Sequence, residues 1–144
     1  MAAQLDFTTF QNVINGKLTT TAETRHGINP ATGEANAEVP VATAKDVDAA
    51  VAAGQEAFKS WSKTSHDERE KALLAFADAI DAHAEQFKDL LVREQGKPRP
   101  LAAFEIMITV TTLRTNAKLE LKPVVLMDTE EKKAIQRFTP LGVA

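Results

Sequence analysis

Hydrophobic and polar positions alternate along the first forty residues in short runs broken by turn residues. Val13 and Ile14 precede Asn15-Gly16, a pair that tolerates the two positive φ values of a type I′ turn, and Lys17 to Thr21 resume with β-branched residues. This predicts a hairpin. A second turn at Asn29 to Gly33 leads into Glu34 to Val41, where Ala35, Ala37, Val39 and Val41 alternate with Glu34, Asn36 and Glu38. That period is the one of a strand with a buried face, ending near Pro40 to Ala42.

From Thr43 onward the period becomes helical. Thr43 stands three residues before Asp46, the arrangement of a capping box, and Val47, Val51, Gly54 and Phe58 form a stripe that runs on to Trp61. Trp61 is expected to plug the core behind this helix. Ser65 with Glu68 opens a second helical pattern through Leu73, Phe76, Ile80, Ala84, Phe87 and Leu91, which Gly96 and Pro98 stop. The polar run around His83 offers a break between Ala82 and Ala84. Pro100 suits the first turn of a third helix with two apolar stripes, one of Leu101, Phe104 and Ile108 and the other of Ile106, Val110, Leu113 and Ala117. Its β-branched and threonine-rich run, Ile106 to Thr112, loses rotamer freedom in a helix, so tertiary packing has to hold it. Strand returns at Val124 to Met127 and at Lys132 to Phe138, around the polar turn Asp128 to Glu131 and ahead of Pro140. The predicted class is α/β.

Composition narrows the function classes. The chain has 144 residues, 44% hydrophobic and 26% charged, with a net charge of -3. A compact domain of that size buries roughly 70% of its unfolded surface, and the slight acidity gives no electrostatic reason to expect nucleic acid or an anionic membrane as partner. No run approaches the roughly 20 apolar residues of a membrane helix. The first residues lack a basic region or a signal core, so a cytoplasmic location is expected. With no cysteine, disulfides, thiolate metal sites and thiol catalysis all drop out for these residues.

The candidate chemistry is thin. Gly96-Lys97-Pro98 could in principle hold a phosphate, but a helix C-cap with a dipole-compensating lysine accounts for the same residues. Neither G-x-G-x-x-G nor a P-loop is present. His26, His66 and His83 are far apart in sequence and show no ligand partners at useful spacing, so no metal site is expected. Asp78, Asp81 and Glu85 fall at helical steps that mark a solvated face. Ser60, Ser62 and Ser65 surround Trp61 and His66 without a nucleophile elbow. The residues therefore predict no catalytic, cofactor-binding or metal-binding position.

Five segments nevertheless occur in a telling order: Ile14-Asn15-Gly16-Lys17; Asn29-Pro30-Ala31-Thr32-Gly33 with its strand; Asp46-Val47-Asp48 to Ala57-Phe58 with Trp61; Arg69 to Leu91 ending in Glu94-Gln95-Gly96-Lys97-Pro98; and Pro140-Leu141-Gly142-Val143 after a hairpin. Together they resemble the amino-terminal third of an NAD(P)-dependent aldehyde dehydrogenase, over about residues 10 to 144. Arg99-Pro100 and the threonine-rich Ile108 to Thr115 look less like that family than the flanks. The resemblance implies hydride transfer from a cysteine-bound thiohemiacetal to NAD or NADP in the complete enzyme, then hydrolysis of the acyl-enzyme. It also implies that the nucleophilic Cys, general-base Glu, oxyanion-stabilising Asn and cofactor turn belong to later segments. What remains here is scaffold, with Val124 to Phe138 as an arm reaching another subunit. The expected division is a disordered segment 1–9 and one unit over 10–144, with strands in 10–42, helices in 43–120 and the oligomerisation hairpin in 123–139. A truncated product or shortened isoform, inactive and cofactor-free alone, is the leading expectation. The alternative is a non-catalytic interaction protein that docks on a full-length relative.

Overall fold

The computed structural model of the chain describes residues 5–143. Three small antiparallel ribbons flank four helices. Strands β1 (Asn12–Ile14) and β2 (Lys17–Thr19) pair through Val13 and Leu18. Asn15 and Gly16 carry φ of 51° and 71°, the double left-handed turn expected from the dipeptide.

The alternating segment 34–41 forms much less strand than its period predicts. Only β4 (Val39–Pro40) pairs, with β3 (Thr24–Arg25), and Ile28 bridges Ala35. The two stretches still run antiparallel, because Asn36 N–H donates to Gly27 O and Val41 N–H to Glu23 O. Pro40 has no N–H to donate, and the turn at 29–33 holds one end, so the ladder is interrupted. In that turn Gly33 N–H donates to Asn29 O at 2.8 Å and Ala31 N–H to Asn29 Oδ1 at 3.0 Å.

Helix α1 (Ala44–Trp61) begins with a reciprocal capping box between Thr43 and Asp46, and α2 (His66–Ala82) with one between Ser65 and Glu68. Each closes two orphan donors of the first turn. The Thr43 hydroxyl and N–H hold the Asp46 carboxyl below its ordinary range, and the Ser65 N–H and hydroxyl do the same for Glu68. A carboxyl depressed by folding stabilises above its unfolded value and loses that contribution as pH falls through the folded one. Helical signal is therefore expected to decline on acidification below about 4.5, the ordinary glutamate value. Ser65→Ala should cost about 1 kcal/mol of helix stability near neutrality and flatten that acid limb. Circular dichroism against pH for both proteins checks it, and identical profiles would contradict the capping role.

The possible break at His83 is real. His83 closes α2 with φ -112° and ψ 17°, and α3 (Ala84–Gln95) starts beside it. Its N–H donates to Ile80 O while its own carbonyl accepts from Phe87 N–H, so one residue serves both helices. Residues 5–10 lie along α3: Phe7 meets the Phe87 ring at 5.6 Å, and Arg93 donates to Phe7 O. Residues 1–4 of the expected amino-terminal segment are outside the described part.

Helix α4 (Arg99–Ala117) is the centre, since α2 and α3 both pack on it. Its inner face carries Ala102, Ile106, Val110, Leu113 and Ala117, of which Ala102, Val110 and Ala117 are buried together with Ala77 of α2. This contact supplies the packing that the β-branched run requires. On α2 the phase differs from the expected one. Leu74, Ala77 and Ile80 are the covered positions, whereas Leu73 and Phe76 are exposed. Trp61 also departs from expectation: it is 47% exposed rather than a core plug, because α1 packs on the short strand β1 and none of its residues is buried.

Strands β5 (Val124–Asp128) and β6 (Lys133–Gln136) form a bulged hairpin whose residues are all exposed and which pairs with no other strand among the described residues. The tail that follows returns to α1, where Val143 Cγ2 lies 3.2 Å from the position a Cβ would take on Gly54. The chain exposes 11105 Å² in all. A compact monomer of its mass is expected to expose about 7,300 Å². No helix among the described residues is long and apolar enough to cross a membrane.

Candidate functional site

Gly96 is built as a helix stop. It takes φ 63°, and its N–H donates to Val92 O at 2.9 Å, which closes α3. A Cβ placed there would lie 2.6 Å from Pro30 Cγ. The turn 29–33 therefore rests on the end of α3, and a glycine is required twice, for conformation and for space. Lys97 does not wait for a phosphate, because its Nζ pairs with Glu105 of α4.

The acidic residues on the helix faces are exposed, as their spacing predicts, but they are engaged rather than merely solvated. Arg114 donates to Asp78 Oδ1 at 2.8 Å and Asp81 Oδ2 at 3.1 Å, tying α4 to α2. Arg99 donates to Asp89 and to Glu85, tying α4 to α3. Hydrogen bonds from Lys88 and Arg99 hold the Glu85 carboxyl below its ordinary range. Exposed pairs of this kind fix register more than they add stability.

Among the histidines, His83 Nδ1 lies 2.9 Å from Gln86 Oε1, and His26 is exposed and separate. His66 corrects the expectation that no partner stands at useful spacing. Its Nδ1 lies 3.8 Å from Asp67 Oδ1 and 3.7 Å from Glu70 Oε2, and its Nε2 lies 3.3 Å from Leu119 O. The signal was available as the i, i+4 step from His66 to Glu70 within one helix, whereas comparing histidines with one another misses it. Three such groups could meet a cation. They stand, however, on the first turn of α2, where the positive end of the helix dipole disfavours a cation. Geometry alone assigns no ion to them.

His66 borders a cleft of about 600 Å³ among Phe58, Trp61, Leu73, Leu119, Phe138 and Pro140. Of the hydroxyl side chains that line it, Ser62, Thr64 and Thr139, that of Thr64 donates to Trp61 O, and the neighbouring Ser65 is spent on the capping box. The arrangement can cover apolar surface but offers no nucleophile, base and orienter in sequence.

The family model described as the aldehyde dehydrogenase family matches residues 18–144, nearly the whole chain. The chain belongs to the aldehyde dehydrogenase family. It is 38% identical over 139 residues to the aldehyde dehydrogenase LUC3 of a Fusarium species, a match that covers 96% of this chain and 30% of that protein. It is 34% identical over 124 residues to the NADP(+) D-glyceraldehyde dehydrogenase of Picrophilus torridus, covering 84% of this chain and 25% of the relative. An aldehyde dehydrogenase structure from Bacillus cereus superposes with a TM-score of 0.82 at 30% identity, over 87% of this chain and 27% of that one. A betaine aldehyde dehydrogenase from Staphylococcus aureus, solved with NAD+, superposes with a TM-score of 0.77 at 26% identity, over 83% and 25%. The chain thus spans about 30% of the length of the first curated relatives it matches. The expected α/β class and family are both shown by these matches.

The aldehyde dehydrogenase family uses NAD(P), and the helix N-termini among the described residues are poorly suited to a pyrophosphate. A pyrophosphate seeks free backbone N–H groups at a helix N-terminus. At α1 and α2 the capping residue takes the third helical N–H, and Asp46, Asp67 and Glu68 place negative charge in the first turns. Helix α3 has Glu85 in its first turn, and α4 starts with Pro98 and Pro100, which lack the N–H. The cations beside α4, Lys97 and Arg99, are already paired with carboxylates.

Proposed function

We propose that these residues supply scaffold, and no catalytic group, to an NAD(P)-dependent aldehyde dehydrogenase, and that alone they neither oxidise aldehydes nor hold the cofactor. The observation supporting this reading is that capping boxes occupy the starts of α1 and α2 and that Lys97 and Arg99, the cations beside α4, are paired with carboxylates. The exposed β5–β6 hairpin, Val124 to Phe138 with its flank, is the oligomerisation arm in this reading. Its unpaired edges suit a strand from another subunit. A cytoplasmic setting belongs to the same proposal and rests on the mildly acidic, cysteine-free composition.

NADH or NADPH formation by the purified chain with a panel of short aldehydes is the test. No turnover above buffer is expected, because covalent catalysis and oxyanion stabilisation both need groups that these residues do not offer. Calorimetric titration with NAD should likewise give no saturable heat in the micromolar range. Turnover, or saturable binding, would sink the proposal. A second reading, a non-catalytic protein that docks on a full-length aldehyde dehydrogenase, is favoured by the large exposed surface and predicts co-purification with such an enzyme.

A further inference from the structure

Asparagine is chemically labile where the backbone N–H of the next residue can reach its carboxamide. That nitrogen loses its proton and bonds to the carboxamide carbon, a five-membered imide closes, and the side-chain nitrogen leaves as ammonia. Water then opens the ring. Hydrolysis at the side-chain carbonyl gives aspartate, and hydrolysis at the main-chain carbonyl gives isoaspartate, whose main chain runs through the former side chain. A small, exposed next residue and a backbone free to turn favour the reaction.

The chain has five asparagines, and the structure separates them. Asn29 precedes Pro30, which has no N–H to attack with, and its Oδ1 accepts from Ala31 N–H. Asn116 and Ala117 end α4, with Ala117 buried. Asn12 precedes the β-branched Val13 in β1, and its Nδ2 is buried. Asn36 and Ala37 are half-buried, and Asn36 N–H is bonded to Gly27 O. Asn15 differs on each count. It and Gly16 are exposed at the tip of the β1–β2 hairpin, and even a Cβ on Gly16 would meet nothing within 4 Å. Ring closure turns the Asn15 backbone out of its left-handed turn, where φ is 51°. What resists that movement is a ribbon of three residues a side, with no third strand among the described residues. Such a ribbon is marginal in water, so it opens locally without global unfolding.

The geometry points to Asn15-Gly16 as a site of self-modification, where water converts the carboxamide to aspartate and isoaspartate in the folded chain. Isoaspartate adds a methylene to the main chain of a two-residue turn, and that turn sets the register of Val13 with Leu18 and of Ile14 with Lys17. The modified ribbon loses this pairing, and β1 loses its seat on α1. None of this depends on the proposed scaffold role.

The intact chain is incubated in mildly alkaline buffer, native and in denaturant, and mapped by mass spectrometry of its peptides. The carboxamide-to-carboxyl mass gain is expected at Asn15 at least tenfold faster than at any other asparagine. Its native rate should stay within tenfold of the unfolded rate, and a protein isoaspartyl methyltransferase should methylate the product. Amide hydrogen exchange in β1 and β2 should quicken at least tenfold after incubation. Asn15→Gly keeps a residue suited to the left-handed turn but has no carboxamide, so its exchange should stay constant over the same period. Another asparagine reacting first, or a native turn that protects Asn15 a hundredfold or more, overturns the site. Exchange that stays unchanged in the modified chain, or quickens equally in Asn15→Gly, overturns the unpairing.

Discussion

Purified alone, the chain is expected to elute as polydisperse assemblies and to melt without a sharp cooperative transition. Cooperative unfolding needs a core whose loss is all-or-none, and the fully buried residues among those described are Ala77, Ala102, Val110 and Ala117, with no large side chain. The helices α2, α3 and α4 hold one another, but α1 has no buried residue and the β5–β6 hairpin stands apart. A two-stranded hairpin is marginal in water, and exposed apolar faces of this extent promote association. Size-exclusion chromatography with light scattering, together with thermal denaturation followed by circular dichroism, measures both properties. Co-expression with a full-length aldehyde dehydrogenase should sharpen both profiles and bring the two proteins through purification together. A monodisperse monomer with a steep melt that ignores the full-length enzyme would identify an independently stable domain and remove the reason for any partner.

Gly96→Ala is expected to be the most damaging single substitution in the described residues. An alanine at φ 63° costs about 1–2 kcal/mol from its own backbone. Its Cβ would also enter the space of Pro30 Cγ, 2.6 Å away, so the turn 29–33 must lift from the end of α3. The two costs separate in a double-mutant cycle with Pro30→Ala, since removing the ring relieves the contact and leaves the backbone strain. Measured in the complex with a full-length enzyme or another stabilising partner, Gly96→Ala should lose about 2 kcal/mol or more, and the double variant should recover part of it. Strictly additive losses would show that Pro30 and Gly96 do not press on each other. A neutral Gly96→Ala would contradict the left-handed cap itself.

This pair also shows how the candidate site was partly legible in advance. The stop at Gly96-Lys97-Pro98 and the turn at Asn29 to Gly33 were each readable from local residue types, but their contact joins positions far apart in sequence. No periodicity reports such a contact. The same holds for Lys97, whose neighbour Gly96 suggests dipole compensation while its real partner is Glu105 across the α3–α4 corner. His66 was the opposite case. Its cluster with Asp67 and Glu70 is wholly local and was open to a reading at helical spacing.

Local chemistry determined the capping boxes at Thr43 and Ser65, the Asn15-Gly16 turn, the break at His83 and the four helical spans. Each is signalled by hydrogen bonds or backbone angles within a few residues, although the β-branched run of α4 also needs its packing on α2 and α3. The ordered motifs also carried the family, which the matches with known relatives establish. The phase of burial was decided only in three dimensions. Helix α4 has two apolar stripes of similar length, and the one holding small residues at Ala102 and Ala117 faces α2 and α3, because small side chains let the helix axes approach. The bulkier Leu101, Phe104 and Ile108 stay outside. Trp61, Leu73 and Phe76 are exposed for a related reason, since a hydrophobic position becomes core only where another element is present to cover it.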